Sequence, residues 1–133
     1  MIVVDTTVWI DFLESKGTPF DLHLKELIER DESLALTDVV YCEVLQGILD
    51  DTRFRRVREI LKVYPIFRVR GLQTFEHASQ IYRDCRKRGY TIRKTLDCLI
   101  AATCLEAGSE LYHNDRDFEI IARVKGLKVY RPK

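Results

Sequence analysis

The feature that most constrains this chain is the way its apolar residues change period. Short, almost continuous apolar runs are separated by longer stretches in which apolar residues recur at helical spacing. Runs of the first kind suit strands buried on both faces, and the stretches between them suit helices that cover those faces. Ile2–Val4, Leu34–Thr37, Ile66–Val69, Glu110–His113 and Leu127–Tyr130 read as strands. A helix is predicted after the first run, capped by Thr6 or Thr7, with Val8, Trp9, Phe12 and Leu13 on one face. Further helices are predicted over Pro19–Glu32, Asp38–Leu49, Asp51–Val63, Thr74–Arg88, Thr95–Ala107 and Asp117–Lys125. Four of the six glycines (17, 89, 108 and 126) follow predicted helices, where a left-handed cap favours Gly. Strands alternating with helices predict an α/β fold with a mostly parallel sheet covered on both sides. In such sheets ligands bind beyond the carboxyl ends of the strands.

With 133 residues and no Gly/Ser linker or repeat, the chain is expected to form one domain, 1–133. An apolar fraction of 46% at net charge +1 excludes a disordered chain. The longest apolar stretch, Cys98 to Leu105, falls well short of the about 20 residues a membrane span needs. The N-terminus has no basic leader and carries Asp5, Asp11 and Glu14, so a cytoplasmic protein is expected. Cys42, Cys85, Cys98 and Cys104 form no CxxC pair and sit in apolar patterns, which favours buried thiols over a zinc site.

Several acidic residues stand where charge is hard to accommodate. Asp5 directly follows the first strand, and Asp115 and Asp117 follow the run ending at His113. Each also suits a helix N-terminus, where a carboxylate complements the dipole. Asp97 opens a segment with almost no polar face, and a charge entering a buried helix is costly unless paired or bound to a cation. Glu43 has Val39, Val40, Gln46 and Gly47 as its helical neighbours and no base within reach along the helix. Two strand ends and two helices thus bring carboxylates toward one end of the sheet. Such a cluster is stable when cations neutralise it or some members take up protons. All-oxygen donors favour Mg²⁺ or Mn²⁺, and a carboxylate-held divalent ion suits phosphate or phosphodiester hydrolysis.

Other phosphate chemistries lack their parts. Every Gly is isolated, which excludes P-loop and dinucleotide fingerprints, and no Ser sits in a nucleophile elbow. Asp5-Thr6-Thr7 lacks the second Asp of an aspartyl-phosphate phosphatase, and a glycosidase would not need four acids. Two segments are locally basic: Arg53 to Lys62, and Arg83 to Lys94. Solvated helix faces are often basic, but a nuclease with an acidic centre needs such rims to hold a polyanion. Arg93 and Lys94, just ahead of Asp97, suit phosphate contact and are equally suited to an acidic or C-terminal peptide of a partner.

Four motifs, Ile2-Val3-Val4-Asp5-Thr6-Thr7, Glu43-Val44-Leu45-Gln46-Gly47, Arg93-Lys94-Thr95-Leu96-Asp97-Cys98-Leu99-Ile100-Ala101-Ala102 and Asn114-Asp115-Arg116-Asp117-Phe118, come in the order and spacing of one family. The whole chain resembles the PIN-domain family, and within it the VapC-type toxins of toxin–antitoxin pairs. That resemblance implies a three-layer α/β/α fold and a Mg²⁺- or Mn²⁺-dependent endoribonuclease, usually a homodimer. It implies RNA as substrate and a cognate antitoxin that covers the acidic site, often with an inserted basic side chain. Asp5, Glu43, Asp97 and Asp115 match the family's acidic quartet, Asp117 a further acidic position, and Thr6 a hydroxyl position beside the first Asp. On this basis Asp5, Asp97, Asp115 and Asp117 are expected at the metal, and Thr6, Arg93 and Lys94 at the substrate. His113 departs from the pattern, standing where many members have Thr or Ser. It either tunes the site's electrostatics or packs at the strand end. The alternatives are a non-catalytic RNA- or protein-binding module of the same fold, and a metal-dependent nuclease or phosphatase outside any toxin–antitoxin system.

Overall fold

A computed structural model describes residues 1–132. The elements run β1 (Ile2–Val4), α1 (Thr6–Leu13), α2 (Pro19–Glu29), β2 (Leu34–Thr37), α3 (Asp38–Gln46), α4 (Asp51–Leu61), β3 (Ile66–Phe67), α5 (Leu72–Lys87), α6 (Thr95–Ala107), β4 (Glu110–Tyr112) and α7 (Arg116–Lys125). The four strands form one sheet in the order β3-β2-β1-β4, with every pairing parallel. β1 pairs with β4 from Ile2 opposite Glu110 to Val4 opposite Tyr112, and with β2 through Ile2 opposite Leu34.

The chain steps from β1 outward through β2 to β3, then crosses back to lay β4 on the other side of β1. Right-handed crossovers put the helices of the outward steps on one face and those of the return step on the other. The contacts agree: α1 packs on α2 and α3, and α3 on α4, while α5, α6 and α7 pack on one another. The result is a three-layer α/β/α fold. Its direction of winding reverses between β1 and β4, so their carboxyl ends flank a crevice.

Burial explains the strands. Every residue of β1 and β2 is buried, as expected for a parallel sheet covered on both sides. Trp9 on α1 is fully buried against Tyr64, with ring centroids 5.2 Å apart. In α6, every residue from Asp97 to Cys104 is buried, matching the sequence segment with no polar face. Gly108 and Gly126 end α6 and α7 in the left-handed conformation, at φ 66° and 75°.

Four expectations are corrected. Leu127–Tyr130 is not a strand: only Val129 bridges to Leu111, because this segment follows the edge of β4 for one residue pair. The third strand keeps only Ile66 and Phe67, since the Val69 N–H is drawn to Asp38 Oδ2 instead, at 3.0 Å. Gly17 caps no helix: it lies in the loop beyond α1, donating its N–H to Asp21. Cys42 is exposed, on the outward side of α3, whereas Cys85, Cys98 and Cys104 are buried free thiols. No helix is long and apolar enough to cross a membrane.

Candidate active site

Short connections place the acids. Asp5 alone separates β1 from α1 and is the N-cap residue of that helix, in place of the expected Thr6 or Thr7. Its side chain makes no capping hydrogen bond, so the structural role that best suits an Asp there is not performed. Thr37, ending β2, caps α3 by accepting from Val40 N at 3.1 Å, and the helix so aligned carries Glu43. Thr6 Oγ1 donates to Glu43 Oε1 at 2.6 Å across 37 residues. Asp97 is the third residue of α6, 6% exposed, and its Oδ2 has no hydrogen-bond partner. Asp115 caps α7, accepting from Asp117 N at 2.9 Å, so here the capping role is real.

These carboxylates act on one another. The Asp5 carboxyl is pushed up to about 7, by burial first, with Asp97, Glu43 and Asp115 adding to the rise and the Thr6 backbone N–H opposing it. Asp97 is likewise pushed up to about 7, by burial first and then by Asp115 and Glu43, with Lys94 opposing. The repulsions join the four acids into one electrostatic cluster in the crevice between β1 and β4, with Asp117 beside it.

Arg93 lies within this cluster. Its Nη2 donates to Asp115 Oδ1 and its Nε to Asp117 Oδ2, both at 3.1 Å, and its backbone N–H donates to the same Asp117 oxygen. The guanidinium expected to meet phosphate is thus held by two of the acids expected to meet metal. Asp117 is 1% exposed, and its other oxygen, Oδ1, has no partner. Lys94 is exposed at the N-cap of α6; its carbonyl accepts from Asp97 N, and its side chain reaches the cluster through its field on Asp97.

His113 is a packed strand-end residue with a further task. Its Nδ1 accepts from Asp115 N at 3.0 Å, which leaves the proton on Nε2, 2.9 Å from Glu119 Oε2 in a bent approach. Burial lowers the imidazole pKa, so the ring is held neutral. Glu119 is in turn held by Arg131, at 2.7 and 3.4 Å, which keeps its carboxyl below the usual range. Glu119 and Arg131 escape a reading by motif, because they lie on α7 and beyond it at no fixed spacing. Only the His at the strand end hints at a partner.

The donor chemistry fits a hard divalent cation. All candidate ligands are carboxylates, two buried carboxylate oxygens lack any partner, and mutual repulsion leaves the cluster short of positive charge. As the side chains stand, no group of three or more His, Cys, Asp or Glu among the described residues is gathered tightly enough to hold an ion. Arg93 occupies Asp115 and Asp117, and joint coordination requires it to give way.

Residues 2–124 match the PIN domain family. VapC ribonuclease Mb1587 of Mycobacterium bovis and ribonuclease VapC11 of Mycobacterium tuberculosis are each 31% identical to this chain over 129 residues, 96% of either length. Among solved structures, VapBC2 from Rickettsia felis, bound to a DNA fragment from its promoter, superposes with a TM-score of 0.76 at 16% identity, over 98% of both chains. VapBC-1 from nontypeable Haemophilus influenzae gives 0.73 at 21% identity, over 98% of this chain and 97% of that one. At these identities the likeness to the solved structures is one of fold.

Proposed function

The chain belongs to the PIN domain family, and on that premise we propose that it is a Mg²⁺- or Mn²⁺-dependent endoribonuclease acting as the toxin of a toxin–antitoxin pair. The observation that carries this reading is the gathering of Asp5, Glu43, Asp97 and Asp115 at the sheet's switch point, in a chain 31% identical to two VapC ribonucleases. An RNA substrate, an inhibiting antitoxin and a cytoplasmic location are part of the same proposal, and the likeness to VapC ribonucleases supports the first.

A divalent ion bound here would supply Lewis acidity to a phosphoryl oxygen and acidify the water needed for in-line attack on phosphorus. Asp5, Asp97, Asp115 and Asp117 are the side chains that would hold that ion. Glu43, fixed by the Thr6 hydroxyl, orients the attacking water and accepts its proton. Arg93 exchanges Asp115 for a phosphate oxygen and, with Lys94, fixes the strand's register. The P–O3′ bond breaks and the leaving O3′ takes up a proton from solvent, giving 5′-phosphate and 3′-hydroxyl ends. Leu72, Phe75 and Leu96, exposed on α5 and the start of α6, support a homodimer through that layer.

A non-catalytic binding module has one observation in its favour, the Arg93 guanidinium seated on Asp115 and Asp117. One experiment separates the two. Purified protein is incubated with a mixed cellular RNA pool, with Mn²⁺, with Mg²⁺ or with chelator, beside Asp97→Asn. Discrete products that need metal and that the variant fails to make are expected. Intact RNA in every lane, with no metal binding by calorimetry, favours the module.

A further inference from the structure

Beside the acidic cluster, a cleft of about 370 Å³ opens between the end of β4, the start of α7 and the segment after α7. That volume lies in the range of about 300–1,000 Å³ typical of small-molecule sites. Asp115 lines both the cleft and the cluster, so whatever enters the cleft adjoins whatever sits at the acids.

The walls are built and rigid. Phe20 and Tyr130, both half-buried, line the cleft around Tyr112. Phe20 stacks on Tyr112 with centroids 6.0 Å apart, and Tyr130 meets the same ring edge-on at 5.4 Å. The Tyr112 hydroxyl donates to Phe20 O at 2.8 Å, and the Tyr130 hydroxyl is pinned by His23 Nε2 at 2.9 Å. Around these rings stand Asn114, Arg116 and Arg131. Arg131 is anchored by Glu119, whereas exposed Arg116 has no carboxylate partner among the described residues.

Pre-fixed aromatic rings, an amide able both to donate and to accept, and an unpaired guanidinium are the parts that hold one unstacked nucleotide. A peptide would need an apolar side chain and a separate carboxylate to meet both the rings and Arg116, whereas a nucleotide carries base and phosphate in one unit. We infer that this cleft is a base-reading subsite for the nucleotide next to the scissile phosphate of a single-stranded RNA. The base lies against Phe20 and Tyr130, Asn114 and Arg131 meet its edge, and Arg116 meets its phosphate. The inference rests on the ribonuclease reading for which nucleotide is bound, but not for whether one binds.

The test is a titration of the full-length, ¹⁵N-labelled chain with each of the four nucleoside 5′-monophosphates, in chelator so that metal contributes nothing. Amide shifts are expected at Asn114, Arg116, Tyr130 and Arg131, with one base binding more tightly than the rest. In Tyr130→Leu and in Arg131→Gln, a change at an exposed side chain that carries little folding risk, binding weakens roughly tenfold. Sequenced ends of cleaved RNA show one base enriched beside the cut, and both variants flatten that enrichment. RNA cleavage with no shifts at these amides, and with the enrichment unchanged in both variants, overturns the subsite and leaves the nuclease standing. Nucleotide binding at these amides with no cleavage of any RNA upholds the subsite and removes the nuclease reading.

Discussion

The two acidic pairs of the site lie close together and are stabilised in opposite ways. Asp115 and Asp117 are satisfied within the chain: Asp115 caps α7, and Arg93 bridges both. Asp5 and Asp97 have no salt-bridge partner among the described residues, only the Thr6 backbone N–H on Asp5 and the more distant charge of Lys94 on Asp97. Asp5 makes no capping bond, Asp97 leaves a buried oxygen without a partner, and both carboxyls are pushed up to about 7. Burying an unpaired charge costs on the order of several kcal/mol. The first pair is therefore ordinary structural electrostatics, and the second stands at a cost to the fold. Strain of this kind marks a functional site more reliably than the mere presence of acids.

The contrast breaks most decisively at Asp97. Asp97→Asn is expected to lower metal-dependent RNA cleavage by about a thousandfold, measured as initial rate at saturating Mn²⁺, while raising the melting temperature of the metal-free protein. A variant that loses both activity and stability would show that Asp97 is structural.

The pH dependence sharpens it. A carboxyl whose folded pKa lies above its unfolded value penalises the fold once the unfolded chain ionises, from about pH 4, and the penalty grows until the folded group ionises near 7. The stability advantage of Asp97→Asn over the parent should therefore rise by up to about 2 kcal/mol between pH 5 and 7.5 and then level off. Taking the difference between the two chains removes the opposing contribution of His113, whose lowered pKa favours the fold as pH rises. Urea titrations of the two metal-free proteins at several pH values check this.

For the satisfied pair the sign reverses. Arg93→Ala leaves Asp117 buried with its main charged partner gone, so the metal-free protein should lose stability, seen as a lower urea midpoint. The same change vacates Asp115 and should tighten Mn²⁺ binding, read by calorimetry. The smallest effect is expected at Thr6. Thr6→Val removes one hydrogen bond to a half-buried Glu43, which costs about 1 kcal/mol of stability and about tenfold in cleavage rate.

What was legible in the sequence divides along the same line. Unpaired features are local and can be read: the continuous apolar runs of β1 and β2, the absence of a polar face around Asp97, and Asp5 at a strand end all appear in the structure as expected. Paired features need a partner distant in the chain. Thr6 finds Glu43 37 residues away, and Arg93 finds Asp115 and Asp117 across 22 and 24. No periodicity encodes such meetings, so Arg93 reads as a free phosphate ligand in the sequence and is a bridged cation in the structure. Edges are the other blind spot. Leu127–Tyr130 has a strand's composition, but a segment beside the outermost strand gains too few ladder bonds to become one. Cys42 looks buried by its neighbours yet faces outward, because a helix can turn one residue of an apolar stretch to solvent.

The central strand is also the first made. β1 is synthesised ahead of its partner β4, which follows more than a hundred residues later, and the crevice exists only once Ile2–Val4 has found Glu110–Tyr112. A nascent chain still short of Asp115 therefore carries Asp5, Glu43 and Asp97 on a sheet that cannot close around them. Closing so long a loop is also slow. The order of translation itself keeps the four acids apart until Asp115 and the strand before it have been made.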